Sequence, residues 1–237
     1  MHCDAFDLAA FYASPLGRYA RERIGQRLSA WWPDLHGQTL LGMGFATPYM
    51  DAWQDAKLSM AAMPPEQGAI AWPQQGPSRV FICDDSALPL ADCSVDRILM
   101  IHSLEHAEFP RTMLREAWRV LASGGRLTLV VPSRTGIWAR SDRTPFGFGS
   151  PFSATQLHDL LRSTLFVPDH EDRALFMPPF HGKIVQGTAP LWDRLGPRWL
   201  HPLAGVLMVE ASKQLYAPTA EPASSQQKKL RLMPAGR

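Results

Sequence analysis

The run from Arg126 to Ser133, RLTLVVPS, constrains the chain most, because it is too continuously apolar to alternate between a wet and a dry face. A strand of this kind is buried on both sides and belongs to a parallel sheet covered by helices. Four similar runs precede it: TLLGMGF (39–45), KLSMAAM (57–63), RVFIC (79–83) and DRILMIHS (96–103). Each ends in turn chemistry. Between the fourth and the fifth, Leu114, Ala117, Trp118 and Leu121 recur at helical spacing, and Gly124-Gly125 is placed to end that helix. Ser153 to Gln156 reads as a capping box opening another helix. ALFM (174–177) and GVLMVEA (205–211) supply the last two strands.

Ahead of the first strand, residues 8–32 read as helical. Leu16, Ala20, Ile24 and Leu28 return every four positions. Pro15 suits a first helical turn after a capping Ser14, and Pro33 stops the pattern. Strands separated by helices and linkers imply an α/β fold with a doubly wound, mostly parallel sheet of seven strands. Its last strand is expected to be antiparallel. The expected organisation is a helical extension over 1–36, one domain over 37–216 and a disordered basic tail over 217–237. In such sheets ligands bind beyond the carboxyl ends of the strands. Those ends fall at 44–48, 63–66, 83–86, 102–106 and 132–136.

Composition narrows the partners. Twenty-four basic and 22 acidic residues leave a net charge of +2, too weak a field to make nucleic acid or a charged membrane the main partner. Cys3, Cys83 and Cys93 show neither disulfide nor zinc spacing, so no metal is expected, and the usage fits a reducing cytoplasm. No apolar run is long enough to cross a bilayer, and MHCDAFDLAA lacks the pattern of a signal peptide. The 21 prolines predict many fixed turns and few long helices.

The stretch from Asp84 to Arg134 carries a recognisable order. It contains Asp84, the turn Leu88-Pro89-Leu90, Asp96, Leu104-Glu105-His106, Arg119-Val120-Leu121, Gly124-Gly125 and an apolar strand. This order resembles the second half of the class I S-adenosylmethionine-dependent methyltransferases, closest to their broad type 11 small-molecule group. With the first and closing strands, the resemblance extends over roughly 39–213. It implies a Rossmann-like sheet and S-adenosylmethionine as cofactor. By resemblance, Asp84 accepts from the adenine amine and the backbone N–H of Asp85 donates to a ring nitrogen. On the residues alone, Asp84-Asp85 can instead cap a turn after the third strand.

The glycine-rich turn departs from the family. Where acid-x-Gly-x-Gly-x-Gly is usual, this chain has Gly42-Met43-Gly44-Phe45-Ala46-Thr47-Pro48. Gly44 alone of the three glycines remains, and Gly42 stands in place of the acid. The expected cofactor contacts there are Gly44, Phe45 and Ala46. After the second strand the usual ribose-binding acid is missing, and Glu66 is the nearby carboxylate.

His102 follows the fourth strand at the ligand edge. It can serve as a base and cofactor neighbour, or as a buried structural histidine. Glu105 and His106 order the helix start, and Glu116, Trp118 and Arg119 read as a structural helix face. The segment 134–152 carries Trp138, Arg140, Phe146, Phe148 and Phe152 among glycines and prolines. It reads either as a substrate lid or as a plug for a core gap. Trp192 and Trp199 read as packing of a cap or a dimer surface, so a homodimer or a protein partner is open. Two functions remain: methyl transfer from S-adenosylmethionine to a small, partly apolar acceptor, or a non-catalytic relative that has lost or altered cofactor binding.

Overall fold

In a computed structural model, which describes residues 4–179, 192 and 203–214, seven strands form one sheet in the order β3-β2-β1-β4-β5-β7-β6. The strands are β1 (Thr39–Gly44), β2 (Leu58–Met63), β3 (Val80–Ile82), β4 (Val95–Ile101), β5 (Leu121–Pro132), β6 (Phe166–Ala174) and β7 (Val206–Lys213). The first five pair in parallel, and β7 runs antiparallel to both β5 and β6. This is the doubly wound sheet that the apolar runs imply. The helices are α1 (Ala5–Ala13), α2 (Pro15–Trp31), the short α3 (Thr47–Met50), α4 (Pro110–Val120) and α5 (Ala154–Ser163).

The pleat sorts the core into two layers. In β4, Leu99 and Ile101 face one layer while Ile98 and Met100 face the other. The first layer joins the sheet to α1 and α2 through Leu8, Leu16, Ile24, Leu28 and Trp32. The second holds Met113, Leu114 and Ala117 of α4 with Leu157 and Leu161 of α5. The N-terminal helices therefore share the sheet's own core. Trp32 adds a polar tie, its indole N–H donating to the buried Glu210 carboxylate of β7 at 2.6 Å.

Three local readings change. The helix expected over 8–32 is two helices that meet at Ser14. Its extended backbone ends α1, and its hydroxyl accepts from Gly17 N at 3.0 Å to cap α2. The helix before β5 ends at Val120 rather than at the glycine pair, because Leu121 already pairs with Val95. The strand expected at 174–177 lies earlier, at Phe166–Ala174. That segment, FVPDHEDRA, is a polar edge strand with one neighbour, so apolar content does not mark it. The capping box at Ser153 forms as read. The tail over 217–237 and Trp199 lie outside the described residues.

The end of β1 is the tightest point of the sheet. Gly44 has φ +69°, and a Cβ there would stand 2.6 Å from Ile101 O and 2.7 Å from His102 O. Phe45 N donates to Ile101 O at 2.8 Å across the same contact. A Gly44→Ala variant combines left-handed backbone strain with collision against backbone that cannot turn aside. It is expected to lower stability by about 3 kcal/mol, read as a fall in the urea midpoint at unchanged m-value.

Candidate functional site

A mostly parallel sheet places its loops at the carboxyl ends of its strands, and its crevice lies where the strand order reverses, here between β1 and β4. A cavity of about 360 Å³ opens beside that point, at the ends of β2, β3 and β4. Its walls come from three loops: Pro64 to Gln67 after β2, Asp84 to Ser86 after β3, and His102, Ser103 and His106 to Phe109 after β4. The volume is within the range of small-molecule sites. Its polar lining is rich in acceptors, with the carboxylates of Glu66, Asp84, Asp85 and Glu108 on its walls.

The two aspartates after β3 differ in state. The exposed Asp84 accepts from Ser86 N at 2.8 Å and Ser86 Oγ at 2.7 Å, the closed turn that its residue type favours. Those bonds hold its pKa below the ordinary value. Asp85 is half-buried. Burial first, then the Asp84 and Glu66 charges, push its carboxyl up to about 6. Burial, then the Asp85, Asp84 and Glu116 charges, push the neighbouring Cys83 thiol up to about 11, which keeps it neutral and a poor nucleophile. Asp85 thus has the more perturbed carboxyl, although the sequence reading gave its side chain no role and assigned the adenine contact to Asp84.

The loop carrying these acids is fastened to α4. Arg119 donates to Leu88 O at 3.1 Å and Leu90 O at 2.9 Å, and pairs with Glu116 and Asp92. Glu116 in turn accepts from Leu88 N at 2.8 Å. Glu116 and Arg119, read from the sequence as part of a structural helix face, clamp the Leu88-Pro89-Leu90 turn.

The glycine turn itself does not line the cavity. Phe45 and Ala46 are buried, and Gly44 is pressed on the end of β4. A Cβ on Gly42 would meet Met50 Sδ at 2.5 Å, so α3 packs into the space where an acid would project. Over the turn lies Tyr12 of α1, its ring stacked on Phe45 with centroids 6.0 Å apart. The Tyr12 hydroxyl is 2.8 Å from His102 Nε2 and accepts from the Tyr49 hydroxyl at 3.1 Å. Burial raises the pKa of both tyrosines well above the ordinary value. No local pattern pointed to Tyr12, because its partners are distant in sequence.

His102 has a positive φ of 51°, an uncommon conformation for a histidine that fixes the chain's turn off β4. Its imidazole is enclosed, with no exposed side-chain surface, and its Nδ1 lies 3.5 Å from Glu105 Oε1. Gln67 Nε2 donates to His102 O at 3.0 Å. The structure therefore joins His102 to Tyr12 and Glu105, and contact between the ring and an acceptor in the cavity requires movement. Of the 134–152 segment, Trp138 and Phe146 are core residues. The Trp138 indole donates to Met177 O at 2.7 Å, and Phe146 sits 4.7 Å from the His102 ring. Phe148 and Phe152 are partly buried and Arg140 is exposed. The aromatic half of this segment packs as a plug. Among the described residues, no group of three or more metal-binding side chains is found, and no helix is long and apolar enough to cross a membrane.

The comparisons agree with this geometry. Residues 41–129 match the family model described as Methyltransferase domain. No curated protein matches the sequence. Among solved structures, a chain of the complex between the Haloferax volcanii Trm112 methyltransferase activator and a methyltransferase is 16% identical, with a TM-score of 0.58 over 78% of this chain and 86% of that one. An S-adenosylmethionine-dependent methyltransferase from Thermotoga maritima is 18% identical, with a TM-score of 0.55 over 84% and 91%. One from Archaeoglobus fulgidus is 14% identical, with a TM-score of 0.57 over 81% and 94%. Residues 41–129 are thus similar to the methyltransferase-domain family, and the described chain carries the fold of the S-adenosylmethionine-dependent methyltransferases, with an altered glycine turn.

Proposed function

We propose that the protein is an S-adenosylmethionine-dependent methyltransferase acting on a small, partly apolar acceptor. One observation carries the reading: an acceptor-lined cavity at the carboxyl ends of β2, β3 and β4, within the matched family segment. The cofactor's nucleoside offers an amine and two ribose hydroxyls, all donors. Glu66, Asp84 and Asp85 offer carboxylate acceptors around the same space. The residues therefore fit the nucleoside half of the cofactor, with Asp85 taking the role that the resemblance gave to Asp84. When bound, the cofactor supplies a methyl group on a sulfonium, open to in-line attack by an acceptor's lone pair. The protein's part is to hold that acceptor in line and to exclude water. Phe109, 63% exposed at the cavity wall, gives the acceptor an apolar surface.

In this reading His102 works through its neighbours. Its Nε2 faces the Tyr12 hydroxyl at 2.8 Å, while Nδ1 and Glu105 Oε1 stand 3.5 Å apart without a hydrogen bond, so a base role for His102 requires Tyr12 to leave and the Glu105 pair to close. The non-catalytic alternative finds less support, because the cavity is open and the family match covers its three loops.

Two measurements follow from Asp85. Titration calorimetry with S-adenosylhomocysteine is expected to show binding that tightens as pH rises through about 6, as Asp85 becomes a carboxylate. Asp85→Asn is expected to weaken it about ten-fold. Binding no tighter than about millimolar (−4.1 kcal/mol) counts against the proposal. The same raised pKa acts on stability. The folded chain holds this proton more tightly than the unfolded chain, whose group titrates near 3.8. This group's effect therefore lowers stability as pH climbs from about 4 to about 6. Asp85→Asn is expected to melt at a higher temperature than wild type at pH 7.5, with the difference vanishing below about pH 4.

A further inference from the structure

The crevice at the β1/β4 reversal, where a sheet of this kind takes its ligand, is filled by the chain's own first helix. Tyr12 stacks on Phe45, Leu8 is fully buried, and Phe11 meets Phe146 edge-on at 6.2 Å. The helix start is held as well, Ala5 N donating to Gln67 O at 2.7 Å. Thus α1 is tied at both ends to walls of the cavity, at Gln67 and at His102. The polar groups beneath it are incompletely satisfied. His102 Nδ1 and Glu105 Oε1 are buried without hydrogen-bond partners, as is Gln67 Oε1 on the cavity wall. Buried polar atoms of this kind are costly and are normally paired.

We propose that α1 is a gate. It moves about Ser14 when ligand extends from the open cavity into the reversal crevice, and Tyr12 is the residue that holds it shut. This inference rests on the proposed cofactor, whose amino-acid end would meet the buried glycine turn beneath Tyr12. The hinge is built into the chain. Ser14 is extended between two helices and caps the second, so α1 can leave while α2 stays capped. Gly17 sets the closed position, because any Cβ there would strike Phe11 O and the Tyr12 backbone. Closed α1 leaves Phe6 74% exposed on its outer face. The apparent affinity is then the intrinsic affinity reduced by the fraction of molecules with α1 displaced.

The test is hydrogen exchange of the full chain with and without saturating S-adenosylhomocysteine, alongside calorimetry of wild type, Tyr12→Phe and Tyr12→Ala. Tyr12→Phe removes the two hydroxyl bonds and keeps the ring, so the fold is retained. The gate predicts faster exchange over residues 5–13 in the complex. It also predicts binding about five-fold tighter in Tyr12→Phe, the size expected from one weakened hydrogen-bond set. Failure of wild type to bind while either variant binds equally supports a locked gate. Wild-type binding with residues 5–13 as protected as before, or unchanged or weaker affinity in Tyr12→Phe, overturns the gate and leaves the proposed function standing. No binding by any of the three overturns both.

Discussion

The contact between the end of β1 and the end of β4 governs what the rest of the site can be. Gly44 lies so close to the Ile101 and His102 carbonyls that only a hydrogen fits, and Phe45 N is committed to Ile101 O. The turn that follows is consequently drawn into the core. Met50 fills the space beside Gly42, Phe45 turns under Tyr12, and α3 is limited to four residues. The positive φ of His102 lies on the other side of the same junction. Strain and burial gather here because two parallel strands must release their chains in opposite directions at one point.

The consequence is a site with two unlike halves. On the β2–β3–β4 side, loops fixed by the Arg119–Glu116 clamp hold carboxylates around open space. On the β1 side, aromatic rings and buried hydroxyls close the surface under α1. Burial raises Asp85, and exposure with two Ser86 bonds lowers Asp84, so adjacent aspartates hold different proton affinities. The arrangement suits a ligand with a donor-rich end in the acidic hollow and a second end that competes with Tyr12.

Much of the frame was legible in the sequence because buried parallel strands are written as apolar runs. β1, β2, β3, β4 and β7 fall on theirs, and β5 takes in all of its run but Ser133. β6 was displaced because an edge strand with one neighbour needs no apolar run, and ALFM is buried for its contacts with the core rather than for sheet pairing. The break at Ser14 was half visible: the cap was readable, while the apolar period ran on as if uninterrupted. In the site, the loops of Glu66, Asp84, Asp85 and His102 were found from strand ends alone. The difference in state between Asp84 and Asp85 was not, since it depends on which carboxylate the turn consumes. Nor was Tyr12, which meets its partner His102 across 90 residues of chain. Local spacing carries no signal for such contacts. Gly42 shows the reverse: its departure from the family pattern was plain, and its reason, Met50, emerges only from packing.

The most direct test is a crystal structure of the chain with S-adenosylhomocysteine. The account predicts adenosine in the hollow between Glu66 and Asp85, with the Tyr12 ring lifted from Phe45 and the Tyr12–His102 bond broken. A nucleoside seated elsewhere on the surface, or crystals soaked at high concentration that leave the hollow empty, would contradict it.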